Sequence, residues 1–189
     1  MKTILLTSAG MDVKEEILKI LFKPVNQIKI AHIITASKVE KNLSYLEKEN
    51  RMMRESGFNV ENIDIEGKNE EELRILFNNK DIVYVQGGNT FYLLKHVKAS
   101  GFDRVVKELI EKGTIYIGVS AGSYIACPTI EMALWKRQDK DMFGLTDLTG
   151  LGLVPFLLSV HFKPQYVSIL KQEISTSKYP VRILTDEQA

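Results

Sequence analysis

The chain has 189 residues, of which 44% are apolar and 26% are charged, with 25 basic and 24 acidic side chains. This length and composition suit an ordinary globular domain with its own core, and they exclude disordered and collagen-like proteins. The formal net charge of +1 gives no electrostatic reason to expect nucleic acid or a membrane surface as a partner.

The lone cysteine, Cys127, cannot form an internal disulfide, and no group of Cys and His residues has the spacing of a zinc site. Both features are typical of a reducing compartment. We therefore expect a cytoplasmic protein that uses no metal or cofactor. The apolar runs fall well short of the roughly 20 residues that cross a bilayer, so no membrane-spanning segment is expected.

In the first half of the chain, apolar runs of strand length alternate with segments of helical period. Strands are predicted at 3–7, 28–34 and 58–65, the last near the edge of the sheet because its apolar residues alternate. Helices are predicted to begin at Asp12 and Ser37, since each is followed three positions later by a glutamate, as in a capping box. This alternation predicts an α/β fold with a mostly parallel sheet.

The second half continues the alternation. A short helix at 70–77 precedes a strand at 81–85, helices at 90–99 and 103–112 follow, and a strand at 114–117 leads into a glycine-rich turn. Beyond residue 128 the pattern weakens, until an apolar run that contains His161, a helix from about 165 and a strand at 180–184. With no repeat and no linker, residues 1–189 are predicted to form a single domain.

The segment Gly118-Val119-Ser120-Ala121-Gly122 fits the Gly-x-Ser-x-Gly pattern and lies between a strand and a helix of small residues. This context is what a nucleophile elbow requires, because flanking glycines let strand and helix approach closely and leave the serine hydroxyl exposed. We expect Ser120 to be a nucleophile. A chance match in a glycine-containing turn is the alternative.

A second loop, Gln86-Gly87-Gly88-Asn89-Thr90, follows another strand. Both loops should open on the same edge of a parallel sheet, where ligands of α/β folds bind. We therefore expect Gly87, Gly88 and Asn89 to contact substrate, with backbone N–H groups here and at Ala121 facing a developing oxyanion. A tight turn capped by Asn89 or Thr90 is compatible with the same pattern.

A serine nucleophile needs a base, and the chain has three histidines. His32 lies in a predicted buried strand and is expected to be structural, while His96 is expected on the solvated face of a helix. His161 ends an apolar run and follows Ser120 in the chain order of many α/β hydrolases, so it is the predicted base. The acid that orients it stays open among the residues between them, which are Glu131, Asp139, Asp141 and Asp147.

Several motifs together resemble the peptidase E family of serine peptidases, which includes the α-aspartyl dipeptidases and, more distantly, cyanophycinase. They are Val85-Gln86-Gly87-Gly88-Asn89-Thr90-Phe91-Tyr92-Leu93-Leu94, Tyr116-Ile117-Gly118-Val119-Ser120-Ala121-Gly122-Ser123, Cys127-Pro128-Thr129-Ile130 and His161-Phe162. The resemblance implies a three-layer α/β/α sandwich of the flavodoxin-like or class I glutamine amidotransferase-like type. It also implies Ser120 as nucleophile, His161 as base, and Gly88 with Ala121 as oxyanion hole.

The family's acid position, 15 residues after the nucleophile, holds Trp135 here, so the resemblance leaves Glu131 and Asp139 as alternative acids. The resemblance further implies a domain over 1–189 that lacks some C-terminal strands of its relatives. The expected activity is hydrolysis of short peptides, such as dipeptides with N-terminal aspartate, through an acyl-enzyme.

Two other functions are compatible with these motifs. One is a regulatory binding protein that keeps the elbow but has lost the acid, and the other is an amidase or esterase that acts on a non-peptide substrate. The expected partner is a small peptide, and a homodimer would cover exposed strand edges. No nucleic acid and no membrane is expected as a partner.

Overall fold

The computed structural model describes residues 2–136 and 143–189. The strands are β1 (Ile4–Thr7), β2 (Lys29–Ile33), β3 (Asn59–Ile63), β4 (Ile82–Val85), β5 (Ile115–Val119), β6 (Leu157–Ser159) and β7 (Val181–Ile183). The α-helices are α1 (Lys14–Lys19), α2 (Ser44–Glu55), α3 (Glu70–Leu76), α4 (Thr90–Ser100), α5 (Phe102–Glu111), α6 (Ala121–Ala126), α7 (Met132–Trp135) and α8 (Val167–Thr176). None of the helices in these two ranges combines the length and the apolar composition of a bilayer-spanning segment.

The first five strands form one parallel sheet in the order β1-β5-β4-β2-β3. This arrangement confirms the predicted α/β class, and it confirms that the alternating strand β3 lies at an edge. The strands β6 and β7 pair with each other, also in parallel, as a separate two-stranded sheet. Because the strands of the main sheet are parallel, their carboxyl ends lie at the same edge of the sheet. The loop after β4 and the turn after β5 meet at this edge, as predicted.

Each face of the sheet is covered by a hydrophobic layer. Along β4, Ile82 and Tyr84 point into the core beneath α1 and α2, while Val83 and Val85 point into the core shared with the remaining helices. Helix α5 shows why these helices pack, because its buried residues recur at helical spacing: Phe102, Val105, Val106 and Ile110. The result is the predicted three-layer α/β/α sandwich.

The first two helices begin later than the capping-box pattern predicts. A 3-10 turn occupies Gly10–Val13 before α1, and no side-chain cap forms at its start. A second 3-10 turn, Thr35–Val39, follows β2, and there the Ser37 hydroxyl donates to the Ile34 carbonyl. Both predictions were wrong because the two side chains are used elsewhere: the Ser37 hydroxyl satisfies the turn itself, and the Asp12 carboxyl pairs with Lys48.

Two other helices have side-chain caps. Asn69 and Glu72 form a reciprocal capping box at the start of α3. At the start of α4, the Asn89 side chain accepts a hydrogen bond from the Tyr92 amide. This second cap anchors the glycine loop that follows β4.

Candidate active site

Ser120 occupies the turn between β5 and α6, as the elbow pattern predicts. Its backbone has φ 48° and ψ −106°, a conformation that non-glycine residues rarely adopt. The Ser120 amide donates to the Thr7 carbonyl of the neighbouring strand β1, 3.1 Å away. The turn is therefore tied to the central sheet while the side chain lines a cavity.

The glycines that flank Ser120 allow the backbones to approach closely. A Cβ at Gly122 would overlap the carbonyl oxygen of Val85 at the end of β4, and a Cβ at Gly118 would lie 2.7 Å from the Gly122 oxygen. Helix α6 can therefore pack directly over the ends of β4 and β5. This contact places the N-terminus of α6 beside Ser120, the predicted nucleophile.

His161 lies two residues past the end of β6 and faces the serine. Its Nε2 is 2.9 Å from Ser120 Oγ, which is a hydrogen-bond distance. The backbone of His161 is also left-handed, with φ 54°. The structure thus brings together the predicted nucleophile and the predicted base.

The other ring nitrogen of His161 meets a residue that sequence reasoning missed. His161 Nδ1 is 2.6 Å from Asp186 Oδ1. Backbone pairing between the small sheet and the following segments brings the two together, because Leu184 N donates to Ser159 O and Phe162 N donates to Leu184 O. No local sequence pattern marks Asp186, since it lies on a different segment from the histidine.

Ser8, directly after β1, joins the same cluster. Its hydroxyl donates to Asp186 Oδ1 at 2.6 Å, and it accepts the His161 backbone amide at 2.9 Å. Burial by itself would raise the pKa of Asp186, but the hydrogen bonds from Ser8 and His161 outweigh that effect and hold the pKa below its ordinary value. The carboxyl group beside the histidine is therefore kept ionised.

The two acids expected from the sequence have different outcomes. Glu131 precedes α7 and lines a separate cavity with Leu134, Trp135 and Glu173, away from the His161 ring. The expectation for Glu131 is corrected, because the carboxyl group beside His161 Nδ1 is that of Asp186, while the Glu131 side chain lies at the start of α7 and lines the other cavity. Asp139 lies outside the described residues, so its expected role stays a prediction.

The loop after β4 packs against Ser120. A Cβ at Gly87 would lie 3.1 Å from Ser120 Cβ, and Gly88 has φ 136°, a conformation open only to glycine. A Cβ at Gly88 would also overlap the Ala36 carbonyl. Gly87 and Gly88 line the cavity, whereas the Asn89 side chain caps α4.

A cavity of about 400 Å³ opens in front of Ser120 and His161. Its walls come from the ends of β1, β4 and β5 and from α2. Its acidic and basic lining side chains, besides His161, are those of Asp12, Glu40, Lys48 and Glu49. Lys48 is paired with Asp12 at 2.6 Å.

Glu49 is the buried member of this group. Its carboxyl accepts hydrogen bonds from the Tyr84 hydroxyl and from the Met11 amide. Burial raises the pKa of Glu49, against the lowering effect of these hydrogen bonds. The Glu49 carboxyl thus joins three parts of the cavity wall: helix α2, the turn that contains Met11 and strand β4, which contains Tyr84.

The remaining candidates lie away from Ser120. His32 is fully buried and hydrogen-bonded to Asn50, Asn62 and Gln86, which confirms the expected structural histidine. His96 was expected on a solvated face, but its side chain is only 14% exposed, because its ring packs on Tyr92.

Cys127 is buried, as expected for a structural thiol, and burial raises its pKa to about 12. Among the described residues, no group of three or more His, Cys, Asp or Glu side chains is arranged to hold a metal ion.

Comparison with known proteins agrees with this fold and identifies the family. A family model described as peptidase family S51 matches residues 4–189. An uncharacterised peptidase of Listeria monocytogenes is 34% identical over 177 residues, which cover 93% of this chain and 85% of the relative. Peptidase E of a Nostoc species is 30% identical, over 85% of this chain and 66% of its own length.

The crystal structure of a peptidase E-type protein from Listeria monocytogenes EGD-e superposes with a TM-score of 0.86 at 30% identity, and the match covers 98% of this chain and 91% of that one. The sequence resemblance to peptidase E is thereby confirmed, together with its fold. The chain belongs to peptidase family S51 and is a serine peptidase.

Proposed function

We propose that this serine peptidase hydrolyses short peptides through Ser120, His161 and Asp186, with an acyl-enzyme intermediate. One observation carries the proposal: a continuous hydrogen-bond path runs from Ser120 Oγ to His161 Nε2 at 2.9 Å, and from His161 Nδ1 to Asp186 at 2.6 Å. This order of groups is what an activated serine requires.

In the proposed reaction, Ser120 Oγ attacks the peptide carbonyl while His161 Nε2 takes the hydroxyl proton. The imidazolium then gives that proton to the leaving amine, and the C–N bond breaks to leave an acyl ester on Ser120. A water molecule, deprotonated by the same nitrogen, hydrolyses the ester and the proton returns to Ser120. Asp186 stays ionised throughout and stabilises the positive imidazolium.

The oxyanion of the tetrahedral intermediate is proposed to bind the backbone N–H groups of Ala121 and Gly88. Ala121 is the first residue of α6, where helix geometry leaves amide groups without an acceptor in the helix and where the positive end of the dipole lies. The close packing of Gly87 on Ser120 supports a second donor from the neighbouring Gly88.

The cavity supports a small substrate. A volume of about 400 Å³ lies at the lower end of the range for small-molecule sites, which suits a dipeptide or a peptide end. Among the described lining residues, carboxyl side chains outnumber the single lysine, which is paired with Asp12. These charges favour a substrate that places its free N-terminal ammonium group in the cavity, and they disfavour one that places an aspartate side chain there.

The test is hydrolysis of a panel of dipeptides and aminoacyl-anilides with Asp, Glu, Gly, Leu and Lys as leading residues. We expect cleavage of free-amino members, loss of at least 1,000-fold in kcat on Ser120→Ala, and an unchanged melting temperature for that variant. N-acetylated copies of the same substrates should be poor, because they lack the ammonium group.

Covalent labelling gives a second readout. A serine-directed phosphonate should modify the wild-type protein at Ser120 and leave Ser120→Ala unmodified, as judged by peptide mass spectrometry. Turnover that survives in Ser120→Ala would contradict the proposed nucleophile. Cleavage of the Asp-leading members alone would contradict the proposed charge preference and leave the mechanism in place.

A further inference from the structure

Given the proposed reaction, we propose that Ser8 is a positioning residue that holds both His161 and Asp186 in their working arrangement. The Ser8 side chain is fully buried, and its hydroxyl lies within hydrogen-bond distance of three atoms. These are the His161 backbone nitrogen at 2.9 Å, the His161 ring nitrogen Nδ1 at 3.2 Å and Asp186 Oδ1 at 2.6 Å.

The hydrogens in this cluster can be assigned from donor and acceptor chemistry. A hydroxyl has one hydrogen and two lone pairs, and an ionised carboxylate only accepts. The Ser8 hydrogen must therefore go to Asp186, and the His161 backbone N–H goes to the Ser8 oxygen. The second lone pair of Ser8 faces Nδ1, so the histidine hydrogen belongs on Nδ1, where Asp186 is its principal acceptor.

This assignment leaves the lone pair of His161 on Nε2, facing Ser120. That tautomer is the one in which imidazole can accept the serine proton. If Ser8 lacked its hydroxyl, Asp186 would lose one of its two donors and the His161 backbone amide would lose its acceptor. Both the direction of the carboxylate and the tautomer would then be less strongly defined.

The place of Ser8 in the fold explains how it can act on two other segments. Ser8 directly follows Thr7, whose carbonyl accepts the Ser120 amide, so Ser8 and the nucleophile are attached to neighbouring strands of the main sheet. His161 follows the small sheet and has a left-handed backbone, while Asp186 comes from the segment after β7. The Ser8 hydroxyl is therefore a direct link between the rigid sheet and the two residues that activate Ser120.

The chain offers a matched control for this role. Ser159 is also fully buried and lies two residues before His161, but its hydroxyl has no hydrogen-bond partner among the described residues. Ser8→Ala and Ser159→Ala are therefore the same chemical change at the same burial. Only the first removes hydrogen bonds to the site.

The experiment compares the two variants with the wild type on the dipeptide that the panel shows to be cleaved fastest. Ser8→Ala should lower kcat by about 10- to 100-fold with KM within about twofold, because a misplaced catalytic group slows chemistry more than binding. Ser159→Ala should keep both parameters within about twofold. Urea unfolding of both variants measures any general loss of stability.

A spectroscopic readout separates positioning from a purely structural role. The short Nδ1–H to Asp186 bond should give a proton NMR signal far downfield of the amide region, identified by its loss in Asp186→Asn. Ser8→Ala should shift or broaden that signal, and Ser159→Ala should leave it in place. The near-isosteric Ser8→Cys, a poor hydrogen-bonding substitute, gives the same test if Ser8→Ala does not fold.

The outcomes are distinguishable. If Ser120→Ala and Asp186→Asn abolish turnover but Ser8→Ala keeps wild-type kcat and the downfield signal, Ser8 is structural and the inference is wrong. If Ser120→Ala retains turnover, the proposed function itself fails. A lower kcat with a displaced signal in Ser8→Ala, against an unchanged Ser159→Ala, supports the inference.

Discussion

Two residues in the active site have left-handed backbones, Ser120 with φ 48° and His161 with φ 54°. Such conformations cost non-glycine residues on the order of 1–3 kcal/mol each, and they persist only where surrounding contacts over-determine them. Here the contacts include two hydrogen bonds at the end of β1: the Ser120 amide donates to the Thr7 carbonyl, and the His161 amide donates to the side-chain hydroxyl of Ser8, the residue after β1. The strained backbones point both side chains into one cavity.

At the same scale, Asp186→Asn tests the orienting acid. An amide cannot carry the negative charge that stabilises the imidazolium, and its NH₂ group can favour the wrong histidine tautomer. We expect kcat to fall by about 1,000- to 10,000-fold, the magnitude seen when a triad aspartate is made neutral. The measurement is steady-state hydrolysis of a panel dipeptide.

Glu131→Gln is the paired control for Asp186→Asn. Glu131 lines a separate cavity with α7 and α8 residues, so its charge should not affect the histidine. We expect kcat within about twofold of the wild type. A large loss in Glu131→Gln together with an active Asp186→Asn would reverse the assignment of the acid.

At the scale of elements, the site depends on how closely α6 approaches β4. Gly122 lies where any side chain would overlap the Val85 carbonyl, and backbone atoms cannot move aside as a flexible side chain can. The two-stranded pairing of β6 with β7 has a comparable effect, since it sets the separation of His161 and Asp186. The positions of Ser120, His161 and Asp186 thus follow from contacts between elements.

Gly122→Ala tests the close approach of α6. The added methyl should force the helix away from the sheet, lowering the free energy of unfolding by roughly 1–3 kcal/mol and reducing kcat because Ser120 moves with α6. Gly67→Ala is the control: it has open space around it but a φ of 72°, so it should cost about 1 kcal/mol with no loss of kcat. Equal effects of the two changes in urea unfolding and in activity would contradict the steric argument.

At the scale of the whole molecule, the three-layer sandwich brings the segments of the site together at the edge of the main sheet where the parallel strands have their carboxyl ends. The carboxyl ends of β1, β4 and β5 supply Ser8, the glycine loop and Ser120. The small sheet supplies the other two residues, because His161 follows β6 and Asp186 follows β7. The homodimer, the cytoplasmic location and the single domain expected from the sequence stay predictions, as does the absence of a nucleic-acid partner.

The buried lysine beside the site gives a prediction for global stability. Lys136 follows α7, its Nζ donates to the Val160 carbonyl, and it lies 5.5 Å from the centre of the Tyr166 ring. Burial lowers the pKa of Lys136 to about 8, against the opposing effect of the nearby Asp186 charge. A lysine in the unfolded chain has a pKa of about 10.4.

The unfolded chain therefore binds more protons than the folded protein between about pH 8 and pH 10.4, so this lysine makes the folded state more stable as pH rises through that interval. The penalty for burying the charge is fully present below pH 8. Urea unfolding of wild type and Lys136→Met at several pH values measures this term by difference. As pH rises, the free energy of unfolding of the wild type should increase relative to that of the variant. Parallel plots of the two free energies against pH would contradict the lowered pKa.

Much of this protein could be predicted from local sequence patterns. The alternation of apolar runs predicted the parallel α/β sandwich, and the strand-turn-helix context of Gly118 to Gly122 predicted the turn that carries Ser120. The apolar run before His161 identified the histidine that meets it. These features depend on residues close together in the sequence, so the local pattern of residue types is enough to predict them.

The helix starts at Asp12 and Ser37 were wrong, because a capping-box spacing does not decide between a helix and a 3-10 turn when tertiary contacts favour the turn. The contact between Asp186 and His161 was missed for a related reason. Asp186 meets His161 only because β7 pairs with β6, and Ser8 meets both only because β1 lies beside β5. Such contacts depend on which strands become neighbours. The sequence by itself therefore singled out Ser120 and His161 as the predicted nucleophile and base, and only the tertiary structure decided that Asp186 and Ser8 lie beside them.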